Sequence, residues 1–349
     1  MARMNLNDFV NETKNTITKD LFQTMSIIPG IGRLKENSGF IKIDNCSDGF
    51  YKTGAGGVLQ ILATGDKKIE FIVFKDKTIA YVKSAMGYPA YYPVHDVKIE
   101  KPLKAILMDL DGTTVRSEEF WIWIIQLTTA SLLDNSSFEL EDTDLPFVSG
   151  HSVSEHLKHC IKKYCPDRTV EEARKFYFEH THREMQAIMD GKGRKNAFVP
   201  SPGIKDFLLE LKEKGLKIGL VTSGLYEKAY PEILSAFQTL DMGKPEDFYD
   251  AIITAGFPLR KDSCGTLGEL TPKPHPWLYA EVCRVGLGLD FDQRHHVIGI
   301  EDSSAGISAI RLAGFAAIGI KDGNIIEGGA LGLCNHFCNN FEEVLKIIF

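Results

Sequence analysis

Lys104-Ala-Ile-Leu-Met-Asp109-Leu-Asp111-Gly112-Thr113-Thr114-Val115 is the stretch on which the reading of this chain turns. A short apolar run ends in two acids spaced two residues apart, followed by a glycine and two hydroxyl residues. The run is too short for a helix, and its unbroken apolarity suits a parallel strand buried on both faces. Gly112 breaks the pattern, so the strand is expected to stop at Asp109. Carboxylates at the C-terminal end of a central parallel strand lie where open α/β sheets bind ligands. Taken alone, Asp-x-Asp-Gly fits a turn or a calcium loop equally well, so the rest of the chain must decide.

Downstream, strand-like and helical runs alternate. Strands are expected at Lys217–Val221, Ala251–Thr254, His296–Ile300 and Ala316–Ile320. Helices are expected at Ile204–Lys214, Glu227–Ala236, Trp277–Val285, Ala305–Leu312 and Phe341–Ile348, with Pro202 in the first turn of the first. Such alternation implies an α/β fold, a Rossmann-like doubly wound parallel sheet. Between the opening strand and this region, residues 117–198 are helical in pattern: Glu118–Leu133, Ser152–Lys163 and Val170–Met189. Ser152 followed by Glu155 matches a capping box. Gly191–Lys195 reads as a basic loop leading back to the sheet.

Upstream lies a unit of about 100 residues, read as α+β or mostly β. One or two helices are expected within residues 1–25. Strands are expected at Phe40–Ile43, Val58–Leu62, Ile69–Phe74, Thr78–Val82 and Val94–Glu100, with a tight hairpin at Asp76-Lys77 and an aromatic loop at Tyr88–Pro93. The glycines of Lys52–Gly57 lack the order of a phosphate loop and read as a turn. The chain thus divides into residues 1–100, an α/β core of 101–116 and 199–349, and a helical insert of 117–198.

Apolar residues make up 44% of the 349 positions and charged residues 25%, as in an ordinary globular protein. A net charge of -7 argues against nucleic-acid binding. The most apolar stretch, Phe120–Leu133, carries polar interruptions and is too short to span a membrane. Seven scattered cysteines suggest reduced thiols and a cytoplasmic setting. His156, His159, Cys160 and Cys165, and likewise Cys334, His336 and Cys338, lack the spacing of structural zinc.

Polar groups gather at the strand ends: Asp109 and Asp111, Thr222 and Ser223, Glu301 and Asp302, with Lys273 in Thr271-Pro-Lys273-Pro-His-Pro. Parallel strands bring these ends to one edge. Acids suit a hard cation such as Mg²⁺; a lysine, hydroxyls and turn amides suit a phosphate; and a carboxylate can act as a covalent nucleophile. Metal-assisted phosphoryl transfer through an aspartyl-phosphate is the chemistry indicated.

At these residues the chain resembles the haloacid dehalogenase superfamily. Asp109-Leu-Asp111-Gly112-Thr113, Val221-Thr222-Ser223, Lys273-Pro274 and Gly299-Ile-Glu301-Asp302-Ser303 occur in that family's order. The inserted cap resembles the β-phosphoglucomutase and phosphoglycolate phosphatase branch. The resemblance implies that Asp109 is the nucleophile and Asp111 the acid/base. Leu110, Thr222 and Ser223 would line the phosphate site, and Lys273 would offset its charge. Mg²⁺ would be held by Asp109, the Asp111 carbonyl, Asp302 and Glu301, the last either as ligand or as a brace. Arg116, His151, Ser152 and His156 are cap-side candidates for the leaving group. Val153 and Trp121 align with an Arg and a His of the mutases, which weakens a mutase reading. A phosphatase of a small phosphorylated metabolite is therefore expected. A phosphomutase, or a binding protein that self-associates through residues 1–100, is the alternative.

Overall fold

The computed structural model describes residues 27–34, 37–83, 89–144, 153–194, 196–255 and 271–349. The expected N-terminal helices, His151, the Ser152 cap and the 256–270 loop lie outside these residues. β1 (Ile27–Ile28) and β2 (Gly32–Arg33) form a small antiparallel ribbon. β3 (Ile41–Ile43), β4 (Gln60–Ala63), β5 (Ile69–Val73), β6 (Thr78–Val82) and β7 (Ala90–Pro93) form an antiparallel meander in chain order. The expected hairpin is present: Phe74 N donates to Lys77 O at 2.8 Å. The glycines of the 52–57 turn take positive φ, +81° at Gly54 and +82° at Gly57, as a turn requires.

Two expectations for this unit are corrected. Tyr88–Pro93 is not all loop, and Val94–Glu100 forms no strand. In β7, Tyr92 turns inward while Tyr91 is exposed, the period-two signature of a strand. Pro93 ends an edge strand, where a missing donor is tolerated.

β8 (Ala105–Asp109) opens the core and stops at the expected residue. β9 (Val115–Arg116) leads into the cap helices α1 (Glu118–Leu132), α2 (Val153–Tyr164) and α3 (Val170–Met189). The chain returns through β10 (Val199–Pro200), which pairs antiparallel with β9, a two-strand crossing the sequence pattern did not reveal. Then follow α4 (Ile204–Glu213), β11 (Lys217–Val221), α5 (Tyr226–Leu240), β12 (Ala251–Ile253), a short helix at Trp277–Glu281, β13 (Val297–Glu301), α6 (Ser304–Leu312), β14 (Ala316–Ile320), β15 (His336–Cys338) and α7 (Phe341–Ile348). Pro202 lies outside α4 rather than in its first turn, because Gly203, in the left-handed region at φ 77°, caps the helix.

The six strands run parallel in the order β12-β11-β8-β13-β14-β15, so β8 is central and the order reverses beside it. Its side chains alternate between two cores. Ile106 and Met108 join the apolar cluster shared with the cap, including Phe120, Leu157 and Phe198. Ala105 and Leu107 join a second cluster that contains Phe71, Val73, Tyr92 and Val94 of the N-terminal unit. The N-terminal sheet therefore lies against the α/β core with a common apolar interior. Among the described cysteines none is bridged, and no described helix is long and apolar enough to cross a membrane.

A shared interior predicts cooperative unfolding. Phe71 is 1% exposed within it. Phe71→Ala is expected to cost about 3–5 kcal/mol. In urea titrations, tryptophan fluorescence and far-UV circular dichroism should shift together as one transition. A separate early transition would show instead that the N-terminal sheet unfolds alone.

Candidate active site

The ends of β11, β8 and β13 are neighbours: Val221 stands in register with Asp109, and Ile300 with Met108. The turns after these three strands therefore open onto one edge of the sheet. Asp109 is buried there, and its Oδ1 accepts a hydrogen bond from Lys273 Nζ. Its Oδ2 is buried and has no hydrogen-bond partner. Lys273 Nζ also contacts Glu301 Oε1 at 2.6 Å. Tyr279 Oη donates to the same Glu301 oxygen at 3.2 Å. Glu301 Oε2 accepts from Asp302 N at 3.0 Å, Ser303 N at 2.8 Å and Ser303 Oγ at 2.9 Å. Thr113 Oγ1 donates to Asp302 Oδ1 at 3.3 Å.

Asp109, Glu301 and Asp302 each place one oxygen within 4.8 Å of the others, and all three are buried. One lysine faces three acids. Burial, and then the neighbouring Glu301, raise Asp109 well above the usual carboxylate range, although Lys273 opposes them. The same two causes push Asp302 up to about 8. Burial alone would lower Lys273, but Asp109 and Glu301 hold it well above an ordinary lysine. Such a deficit of positive charge, with an unpartnered buried oxygen on Asp109, fits a hard divalent cation with oxygen ligands. Glycine keeps the space clear. A Cβ on Gly112, itself at φ +89°, would lie 2.1 Å from Asp302 Oδ2, and one on Gly306 would lie 1.6 Å from Glu301 Oε1.

Asp111 occupies the open side, with 36% of its side chain exposed. Ser117 Oγ donates to its Oδ1 at 2.9 Å, and Thr222 Oγ1 to its Oδ2 at 3.2 Å. Lys228 Nζ, on α5, lies 3.7 Å from Asp111, 3.6 Å from Glu232 and 4.4 Å from the Trp121 ring centroid. Burial would raise Asp111, but the Lys228 charge and the Ser117 hydrogen bond leave it below its ordinary value. Glu232 is fully buried; burial and the charge of Asp111 push its carboxyl well up. Two neighbouring carboxyl groups are thus driven apart in acidity, Asp111 downward in pKa and Glu232 upward.

Residues 103–314 match the sequence pattern of the haloacid dehalogenase-like hydrolases. The chain belongs to that family. It is also 28% identical over 242 residues to the β-phosphoglucomutase of Bacillus subtilis (strain 168), which covers 66% of this chain and 88% of that protein. A crystal structure from Haemophilus somnus 129PT, named a predicted phosphoglycolate phosphatase, superposes with a TM-score of 0.52 at 20% identity, over 71% of this chain and 98% of that one. A structure from Clostridium difficile superposes with a TM-score of 0.53 at 18% identity, over 72% and 100%. These two likenesses are of fold.

In this hydrolase the strand-end residues Asp109, Asp111, Thr222, Lys273, Glu301 and Asp302 come together as the motif order implies. Ser223 is exposed and accepts a hydrogen bond from Lys273 N at 3.2 Å, tying the two loops. The side chain of Leu110 is buried in the core, which leaves only its backbone to a ligand. Arg116 is exposed at the β9 crossing and faces Asp322 at 3.4 Å. His156 is buried within α2 of the cap. His159 contacts buried Asp144 at 2.8 Å rather than joining a metal cluster. Ser117, Tyr279, Lys228 and Glu232 belong to none of the sequence motifs, although each touches the site. For Lys228 and Glu232 the only available signal was their four-residue spacing, which ordinarily marks a solvated pair.

The raised Asp302 has a signed consequence. The unfolded chain loses this proton near 3.8 and the folded, cation-free protein near 8. Cation-free stability should therefore fall as pH rises across that interval. Divalent-cation binding should release protons and tighten as pH approaches about 8. Calorimetry in buffers of different ionisation enthalpy measures this release. Binding that is independent of both pH and buffer would contradict it.

Proposed function

We propose that the protein is a Mg²⁺-dependent phosphatase of small phosphorylated metabolites, working through an aspartyl-phosphate on Asp109. The observation that carries the reading is the pairing of two unlike acids: Asp109, buried beside Lys273, and Asp111, half-open to solvent beside Thr222 and Ser117. Asp109 and Asp302 are the ligands proposed for the cation, with the Asp111 carbonyl. Bound there, Mg²⁺ would supply the charge that lets a carboxylate approach a phosphate. Both oxygens of Glu301 already accept hydrogen bonds, so its proposed role is to brace the Asp302-Ser303 turn and to hold Lys273.

The chemistry balances across two steps. In the first, an Asp109 oxygen bonds to phosphorus, the bond from phosphorus to the ester oxygen breaks, and Asp111 gives that oxygen a proton. In the second, Asp111 takes a proton from water as the water oxygen bonds to phosphorus and the Asp109 ester breaks. Lys273 and the Thr222 turn hold the phosphoryl oxygens throughout.

Identity with the Bacillus β-phosphoglucomutase favours a second reading, a sugar phosphomutase. Two positions weigh against it. Trp121 stands where the mutases carry a histidine, and its ring is occupied by Lys228. Val153, aligned with the mutase arginine, packs against the apolar cluster and offers no charge to a second phosphate.

Phosphate release from a generic phosphate ester and a metabolite panel tests the reading. We expect release that requires Mg²⁺ and is abolished in Asp109→Asn. In Asp111→Asn it should fall by about 10²–10⁴-fold. Isomer interconversion with no net phosphate, dependent on a bisphosphorylated activator, would establish the mutase instead.

A further inference from the structure

The family pattern begins at residue 103, yet the N-terminal sheet touches both loops that carry the site. On one side, Tyr92 of β7 is buried and shares a 2.7 Å hydrogen bond between its Oη and Nδ1 of His275. Its ring meets the rings of His275 and Trp277 edge-on, at 5.7 Å and 5.8 Å between centroids. His275 is 1% exposed and lies two residues beyond Lys273; its own N–H closes the turn onto Pro272 O at 3.1 Å. The Lys273 loop is thus held from the core side by Ser223 and from the other side by Tyr92.

On the opposite flank, Asp66 in the β4–β5 turn accepts from Ser304 Oγ at 3.4 Å, and its N–H donates to Gly328 O at 3.2 Å. Ser304 follows Asp302-Ser303 directly and begins α6. Three glycines let the backbones meet there: a Cβ on Gly329 would lie 2.3 Å from Gly65 N, and one on Gly39 2.6 Å from Gly329 Cα. Farther along α6, the buried Arg311 donates from Nη2 to Gly30 O at 2.7 Å. Polar contacts with Tyr92 and Asp66 therefore end within two residues of Lys273 and of Asp302.

We propose that the N-terminal sheet is a positioning element of the active site, with Tyr92 as the residue that sets the Lys273 loop. The proposal rests on the phosphatase reading for its kinetic consequence but not for its structural one. Removing the Tyr92 hydroxyl strands a buried imidazole nitrogen, and the loop must move or the nitrogen must go unpaired. Because Lys273 balances Asp109, a small displacement acts on the chemical step more than on substrate binding.

The test compares full-length Tyr92→Phe with a control, Tyr81→Phe. Tyr81 belongs to the same sheet but packs in a separate apolar cluster and against Tyr91. In Tyr92→Phe, amide hydrogen exchange at Lys273 and His275 should quicken about tenfold, on the scale of one buried hydrogen bond. With Mg²⁺ and a phosphate ester, kcat should fall about tenfold with KM unchanged. Tyr81→Phe should alter neither. Unchanged exchange in Tyr92→Phe, or equal effects in both variants, overturns the proposal. Faster exchange in a protein that releases no phosphate from any ester upholds it and overturns the phosphatase reading instead.

Discussion

Three carboxylates and one ammonium share a buried pocket at the end of β8, and their imbalance of charge governs the surrounding structure. Isolated charges are costly to bury, so each must be answered by a partner or by a proton. Lys273 answers part of the deficit; backbone amides of Asp302 and Ser303 answer part of what Glu301 brings. Burial, together with the charge that remains, raises the pKa of Asp109 and Asp302. A pocket arranged in this way has the oxygen donors and the excess negative charge that suit a divalent cation. The glycines at 112 and 306 preserve that capacity, since any side chain there would occupy the space of a carboxylate.

Around this pocket the fold separates tasks by strand face and strand end. Alternate residues of β8 bind two different apolar layers together, one reaching the cap and the other the N-terminal sheet. The polar work is left to the turns. Asp111 leans toward the cap side, where Lys228 and Trp121 surround it, while Asp109 stays in the dry layer. Two acids two residues apart thereby experience different media, which raise the pKa of Asp109 and lower that of Asp111.

Much of this was legible in the sequence because the informative features are local. An apolar run ending in acids defines a strand and its end within a dozen residues, and β6, β8, β11, β14, α3 and α7 matched their expected limits. The short strands β9, β10 and β15 escaped notice because two or three residues carry no period. β7 was hidden by its aromatic and proline content, which suits a loop until alternate burial is seen. Lys228 and Glu232 looked like a surface pair, and only packing beneath the cap removes Glu232 from water. Tyr92 and His275 stand 183 positions apart, so nothing in either local pattern could join them. The buried face of a meander announces that something covers it without saying what.

The shared interior separates two kinds of boundary that are usually assumed to coincide. Family resemblance starts at residue 103, whereas the apolar layer runs without a break from Ile28 and Phe71 across β8 to Tyr279 and Phe315. A fragment trimmed to the recognisable family segment would keep every motif residue and yet lose Ile28, Phe71, Val73 and Tyr92 from that layer. The unit of recognition and the unit of folding are different lengths of this chain, and only the longer one has a closed core.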